Sequence, residues 1–565
     1  MYVLGVWDGH DAGACIVENG VIRVAINEER LTRKKLDIRF PDNAILGCLK
    51  FLNLKPADIQ IVAACSSQFS RVLARSFPYL DREFYNFRRR LIPKPRFEDM
   101  RRAVKYRLTE IGSNKLFRGV TERQLRKKIN RLGFKDYKLY VVDHHLAHAA
   151  SAAFTCGFKK SLCITLDGVG DGLSGTVNIF DDGEIKRLSS ISGRDSLGML
   201  YEQVTTLLGM RELEDEGKTM CIADYSYPVP DEKNKMLDFF QVDSLNIKAK
   251  HSTVKRFFEL KNILFNTRRE NFAYMAQKTV EKHMTQLFTN AIEETGLKDV
   301  CWSGGVASNI KTNMIIRHKS GLKNWFVFPH MGDGGLAVGS ALYIDSLLNG
   351  SKGYKIENAY FGLEYSDEDI LNELKKHKEL KFEERSDIAE MTGDLLSNGN
   401  YLFWFQGRME YGPRALGNRS IIASASSEEI KNKLNMQVKR REWFQPFCPS
   451  LLVEESGKIF EDYDSQPDPF MTMGFKAREE MKDRVKSVIH VDRSSRPQML
   501  ANENGYYRKM IEQVKKNTGD GIILNTSFNL HGEPIVCSPR DAIETMIKTK
   551  TRYMIIGNFF IELKS

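Results

Sequence analysis

At 565 residues the chain is too long for one ordinary hydrophobic core, so two or three packed units are expected. A composition of 42% hydrophobic and 28% charged residues excludes a disordered or fibrous chain. The 84 lysines and arginines exceed the 73 aspartates and glutamates too mildly at this length to indicate nucleic acid, although the excess suits phosphate-bearing ligands. The nine cysteines are scattered, with no Cys-x-x-Cys pair, which predicts reduced core thiols and not disulfides or a zinc knot. No apolar run reaches membrane-spanning length. Residues 1–5 enter a strand pattern with no leader, so a cytoplasmic chain is expected.

In chain order, an apolar run at 3–7 ends in Asp8-Gly9-His10-Asp11. Apolar stretches at 14–17 and 21–26 follow, split by Asn19-Gly20, a strong hairpin signal. Residues 69–135 are rich in arginine and lysine, as in Arg88-Arg89-Arg90, Arg101-Arg102 and Arg126-Lys127-Lys128. Apolar residues recur among them (Phe84, Phe87, Leu91, Val104, Leu108, Leu116, Leu125, Ile129). That pattern predicts amphipathic helices with a charged outer face, a solvated insertion in preference to a surface for an anionic partner.

Next, His144 and His148 stand four apart, on one face of a helix, and can ligate one metal; His145 points elsewhere. An apolar run at 162–166 then ends in Asp167-Gly168-Val169-Gly170-Asp171, followed by 175–180, Asp182-Gly183 and 184–188. This repeats the order found at the N-terminus. One unit used twice predicts two similar α/β lobes facing a cleft.

Two further glycine-rich loops follow apolar runs: Ser303-Gly304-Gly305-Val306-Ala307-Ser308-Asn309, and Pro329-His330-Met331-Gly332-Asp333-Gly334-Gly335. Bare backbone amides cradle phosphate oxygens and carboxylates hold a divalent ion, so the four loops together predict a nucleotide and metal cleft. Its nucleotide-facing residues are expected to include Gly168, Gly170, Asp171, Lys218, Gly304, Gly305, Asn309 and Gly332. Asp167 and Asp333 can complete a mixed site with the histidines, which suits Fe, Mn or Zn better than Mg.

The polar stretch 349–353 is the best linker candidate, with a boundary near 350–360, a helix near 367–377 and a strand at 401–405 beyond it. Arg408, Arg414 and Arg419 then fall in one glycine-rich loop, followed by Lys439, Arg441, Arg496, Asn525 and Ser527. Arginine forks match phosphate and carboxylate, so this set predicts a pocket for a small polyanion.

The order Asp-Gly-His, His-His-x-x-His, Asp-Gly-x-Gly-Asp, Glu-Gly-Lys-Thr-Met (216–220), Gly-Gly-Val-Ala-x-Asn and Gly-Asp-x-Gly resembles the O-carbamoyltransferases of antibiotic and nodulation-factor biosynthesis, the tobramycin-carbamoyltransferase type, along nearly the whole chain outside 69–135. The resemblance implies an α/β chain with an actin-like ATPase module of duplicated RNase H-like lobes at 1–355, fused to a YrdC-like α/β domain at 356–565. It implies a metal held by His144, His148, Asp167 and Asp333, Fe2+ first and Mn2+ or Zn2+ as alternatives, with Mg2+ accompanying ATP. Asp8 and His10, and more loosely Asp215 or Glu216, would face the acceptor hydroxyl. Arg414, Arg419, Lys439, Arg496, Asn525 and Ser527 would line a carbamoyl-adenylate pocket, to which Arg408 and Arg441 add charge. Two departures stand out: Met220 is followed by Cys221 where the family has glycine, and Gln445 replaces an arginine.

The implied reaction joins carbamoyl phosphate and ATP into carbamoyl-adenylate in the C-terminal domain. His10, backed by Asp8, then helps pass the carbamoyl group to a small-molecule hydroxyl. The implied partners are therefore ATP, carbamoyl phosphate and that acceptor; nucleic acid is disfavoured and a homodimer is left open. The competing readings are a sugar-kinase-like phosphotransferase, a tRNA-modifying carbamoyl-transfer protein and a nucleotide-sensing regulator.

Overall fold

The echo between the two Asp-Gly segments resolves into two sheets of one design. In the computed structural model, which describes residues 1–93, 97–501 and 505–564, the chain divides into two compact units: Met1–Glu28 with Leu36–Ile356, and Glu29–Lys35 with Glu357–Ser565. In the first unit, strands β1 (Tyr2–Trp7), β2 (Gly13–Glu18), β3 (Val21–Asn27), β4 (Ile61–Cys65) and β5 (Lys138–Val142) lie in the order β3-β2-β1-β4-β5. Strands β6 (Lys160–Gly170), β7 (Leu173–Asp181) and β8 (Glu184–Ser192) begin the other sheet, and a ribbon of β9 (Phe240–Asp243) and β10 (Asn246–Ala249) follows. With β11 (Asp299–Ser303) and β12 (Asn324–Val327), the second sheet has the order β12-β11-β6-β7-β8. Read from the hairpin edge, each sheet is an antiparallel meander continued by two parallel strands.

Local chemistry sets these turns. Asn19 (φ 50°) with Gly20 (φ 79°), and Asp182 (φ 48°) with Gly183 (φ 101°), supply the paired positive φ that a two-residue type I′ hairpin demands. Strand β1 is buried almost end to end, so it reads as a continuous apolar run and not as an alternation. Helix Leu336–Asn349 packs on β1 and against helix His144–Ala153. At the helix crossing a Cβ on Gly339 would come 1.8 Å from the Ala147 carbonyl oxygen, so glycine alone lets the two backbones meet.

The basic insertion forms helices Phe69–Ser76, Tyr79–Arg88, Glu98–Thr109 and Lys115–Arg131. Its expected charged exterior holds on helix Lys115–Arg131, where Arg118, Arg123, Arg126 and Lys127 are exposed, and is corrected on the other helices. Leu125 and Ile129 do face inward, but Arg75, Arg88 and Arg102 are buried as well, while Leu91, Val104 and Leu116 are exposed. The cause is electrostatic: Arg75 pairs with Asp8, and Arg102 and Lys105 pair with Glu212. Carboxylates of the first unit draw these cations in.

The second unit comprises β13 (Leu380–Glu384), β14 (Leu402–Phe405), β15 (Arg419–Ser424), β16 (Cys448–Leu452), a ribbon of β17 (Phe475–Lys476) and β18 (Ser494–Ser495), then β19 (Gln498–Leu500), β20 (Ile522–Ser527), β21 (Tyr553–Ile556) and β22 (Phe559–Leu563). All but the ribbon join one mixed sheet, β13-β22-β21-β14-β15-β20-β16-β19. Helices Ile388–Ser397 and Gly505–Thr518 pack on it through a cluster that includes Trp404, Ile422, Tyr507, Met510 and Ile523. The predicted helix at 367–377 is realised as Asp367–Leu374. Among the described residues the cysteines are free thiols, Cys448 partly exposed and the rest buried. No helix among them is long and apolar enough to cross a membrane.

Candidate functional site

The first unit gathers its charged side chains where strand ends meet helix starts. Asp143 caps helix His144–Ala153 by accepting from the Leu146 N–H at 2.9 Å. Asp171, in the turn after β6, accepts from the His144 N–H at 2.9 Å and from Ser66 Oγ at 2.8 Å, which anchors the first turn. His144 and His148 then project from one face. Asp167, near the end of β6, lies with Oδ2 3.3 Å from His144 Nε2 and 3.9 Å from His148 Nε2. Asp333 is delivered just ahead of the helix that carries Gly339; its Oδ1 lies 3.5 Å from His144 Nε2 and 3.4 Å from His148 Nε2. The Gly305 N–H donates to Asp167 Oδ1 at 2.7 Å, in a loop that Gly304 opens with φ 98°.

All four side chains are buried, and one ligand atom from each lies within 4.8 Å of every other. Burial works against charge here. Even so, Asp333 and Asp167 raise His144 to about 9, and the two histidines hold Asp167 well below the usual carboxylate range. Neither ring nitrogen of His148 makes a hydrogen bond among the described residues. Two imidazoles, two carboxylates and a buried ring with no hydrogen-bond partner fit a divalent transition metal. His145 does point away, to Thr165 Oγ1 at 2.9 Å and the Leu173 carbonyl at 3.0 Å.

His10 reaches this cluster from the first lobe, its Nδ1 3.4 Å from Asp333 Oδ2. Burial keeps its imidazole below the ordinary value, which favours the neutral, proton-accepting form. Asp8 does not back His10, a correction to the expected pairing. Its carboxylate accepts from Arg75 Nε at 3.0 Å and Arg75 Nη2 at 2.8 Å, with Arg71 at 3.6 Å and Lys128 at 3.9 Å. Burial opposes its charge, but Arg75 and Arg71 hold it far below the usual carboxylate range. Asp8 thus anchors the insertion beneath the His10 loop.

Other expected residues are also committed to protein partners. Asp215 accepts from the Arg211 N–H at 2.9 Å and pairs with Lys218 at 3.1 Å, so Lys218 is turned toward Asp215. Glu216 accepts from the Leu213 N–H at 2.7 Å, and burial pushes its carboxyl up to about 8. The Asn309 amide caps the next helix through the Thr312 N–H and exchanges hydrogen bonds with Gln277. Gly168, Gly170, Gly304, Gly305 and Gly332 lie in loops around the cluster, Gly170 directly against the His144 ring.

The second unit sorts its cations into two groups. Arg419 is fully buried, stacks on Phe405 and donates to the carbonyls of Gln406, Gly407 and Asn418. Arg408 donates to the Phe361 and Gly362 carbonyls, and Arg441 to Asn435 Oδ1 and the Pro446 carbonyl. These three clamp backbone, contrary to the expectation that they present charge to phosphate. Lys439 donates to Asn529 Oδ1 at 2.7 Å and Ser527 Oγ at 3.1 Å.

Arg414 and Arg496 differ. Arg414 makes no hydrogen bond or ion pair among the described residues, and burial together with Arg496 pushes it down to about 9. Arg496 reaches Cys448 Sγ at 3.1 Å. Cys448 is the register partner of Asn525, whose Nδ2 donates to the Ala415 carbonyl at 3.0 Å. Arg414, Arg496 and Asn525 therefore converge at one end of the sheet, and Ser527, held by Lys439, lies two residues beyond Asn525 on β20. The sequence reading missed Glu410, which holds the loop by accepting from the N–H groups of Leu416, Asn418 and Arg419. A carboxylate inside an otherwise cationic loop was the available signal.

The nodulation protein NolNO of Sinorhizobium fredii is 31% identical over 98% of this chain and 79% of its own length. The 3'-hydroxymethylcephem-O-carbamoyltransferase of Streptomyces clavuligerus is 32% identical over 45% of this chain and 47% of its own. Full-length HypF in its phosphate- and nucleotide-bound form covers 62% of this chain and 56% of its own at 13% identity, with a TM-score of 0.34. Residues 2–342 match the carbamoyltransferase N-terminus and residues 393–563 the carbamoyltransferase C-terminus. The chain belongs to the carbamoyltransferase family and is a carbamoyltransferase.

Proposed function

We propose that this carbamoyltransferase is ATP-dependent and acts on the hydroxyl of a small molecule, using the two units for successive steps. In the second unit, a YrdC-like module in this reading, water hydrolyses carbamoyl phosphate to carbamate and phosphate. A carbamate oxygen attacks the α-phosphorus of ATP, pyrophosphate leaves, and carbamoyl-adenylate forms. Arg414 and Arg496 neutralise the phosphate charge that builds up, while Lys439 fixes Ser527 further along the strand that carries Asn525. In the first unit, read as an actin-like ATPase module, the acceptor oxygen attacks the carbamoyl carbon and AMP leaves. His10, oriented by Asp333, takes the hydroxyl proton. A metal held by His144, His148, Asp167 and Asp333 would supply Lewis-acid polarisation.

The observation that carries this reading is the position of His10 on Asp333, itself one of the four buried donors. The relatives support it: one is named for O-carbamoyl transfer to a hydroxymethyl group. The test is incubation with ATP and carbamoyl phosphate, with AMP, pyrophosphate and the adenylate followed by mass spectrometry. Arg414→Ala should lower adenylate formation by about a hundredfold or more. His10→Ala should leave it intact and lower carbamoylation of a hydroxyl acceptor by about 10²-fold or more. ADP as the nucleotide product, or loss of the same step in both variants, would overturn the division of labour.

A further inference from the structure

We propose that the basic helical insertion docks the enzyme on the surface of an anionic phospholipid bilayer. The charge of the chain is concentrated there. Residues 69–135 hold twenty of the lysines and arginines but six of the aspartates and glutamates, so outside them acidic residues outnumber basic ones.

Helix Glu98–Thr109 is inside out. Its buried residues are Arg102 and Tyr106, with Arg102 Nη1 2.6 Å from Glu212 and Lys105 Nζ 2.9 Å from Glu202. Its exposed residues include Met100 (62%) and Val104 (52%), flanked by Arg101 and Arg107, and Phe97 before the helix is 75% exposed. Positions 97, 100 and 104 follow helical spacing, so the apolar side chains form one stripe.

Helix Thr253–Phe265 runs antiparallel beside it, pinned by Thr253 Oγ1 to Glu110 at 2.5 Å and by Lys261 to Asp99 at 2.7 Å. It exposes Phe258 and Phe265, two turns apart, with Lys255 and Lys261 among them.

A folded chain buries apolar side chains and solvates charged ones. On helix Glu98–Thr109 the reverse holds, and helix Thr253–Phe265, which buries Phe257, Leu260 and Ile263, adds exposed Phe258 and Phe265 beside it, so the outer apolar side chains need an environment of their own. Exposed apolar side chains between cations, on helices too short and too polar to cross a bilayer, fit the headgroup boundary: the apolar groups enter the acyl region and the cations meet lipid phosphates. A second copy of the chain would set cation against cation. Nucleic acid would satisfy the cations, but Met100 and Val104 offer nothing to a phosphate or a base edge. The inference is independent of the reaction proposed above.

The test is flotation of the full chain with phosphatidylcholine vesicles and with vesicles of about two parts phosphatidylcholine to one part phosphatidylserine. The enzyme should float with the mixed vesicles alone and release as salt rises. Met100→Ser combined with Phe265→Ser should abolish flotation. Arg101→Glu combined with Arg107→Glu should lower partitioning by roughly twentyfold or more, since each lost cation is worth about fivefold. Both variants should keep the thermal midpoint of the parent; if the serine variant does not, the charge variant decides. Failure of the parent to float, equal flotation on neutral vesicles, or unchanged flotation of the folded variants would overturn the proposal. So would tight binding of duplex RNA at physiological salt without flotation, or a dimer in sedimentation that the same substitutions dissociate.

Discussion

In the first unit Asp8 faces Arg75 and Asp333 faces His10, whereas in the second Arg414 and Arg496 lie together with no carboxylate between them among the described residues. Both regions bury charge, and burial alone would penalise both. The difference is in what is left over. The His–Asp cluster has two carboxylates for two imidazoles, an arrangement that a bound cation completes. The arginine pair is completed by an anion. The sign of the uncompensated charge thus separates the proposed metal site from the proposed phosphate pocket more sharply than residue type does, because arginines are abundant in both places.

The comparison can be broken most severely by giving the second unit the compensation it lacks. Arg496→Glu places a carboxylate beside Arg414; adenylate formation should fall by about a thousandfold, measured as pyrophosphate release. The reverse operation removes compensation from the first unit. Arg75→Met leaves Asp8 buried with only the more distant Arg71 and Lys128, and should cost about 3 kcal/mol in urea unfolding, within the range for a broken buried pair.

A smaller effect distinguishes Glu216, which is half-buried without a cationic partner among its hydrogen bonds. Its folded-state value of about 8 exceeds its unfolded value, so the stability it contributes is complete below the unfolded value and lost as pH rises through the folded one. Glu216→Gln should therefore lie closer to the parent in denaturant midpoint at pH 5 than at pH 9, where the variant should be the more stable. The least effect belongs to a solvated pair: Lys160→Ala, which removes an exposed partner of Asp181, should change stability by about 0.5 kcal/mol or less.

The features legible in the sequence are those encoded within a few residues. Asn19-Gly20 and Asp182-Gly183 announce their hairpins because few other residue pairs tolerate two consecutive positive φ values. The four-residue spacing of His144 and His148 places both rings on one helical face before any tertiary contact is known. What stayed hidden depends on partners distant in the chain. Nothing near Asp8 signals that Arg75 will take its carboxylate, and nothing near Arg419 signals that its fork will be consumed by three carbonyls. The sequence states a charge; the fold decides whether that charge is available. The same limit inverted the reading of helix Glu98–Thr109, whose periodicity is plain but whose buried face was set by Glu202 and Glu212, about a hundred residues away.

The seven residues Glu29–Lys35 belong to the second unit although the chain on either side of them builds the first. Within that unit Arg30 donates to the Gly412 carbonyl at 2.7 Å, and Arg33 to the carbonyls of Ile535 and Pro534. A gene fragment beginning at residue 357 would therefore encode an incomplete body, with three carbonyls stripped of their guanidinium donors. Bisecting this protein into independently expressible halves requires supplying that short strap in trans, which ties the inheritance of one module to the other.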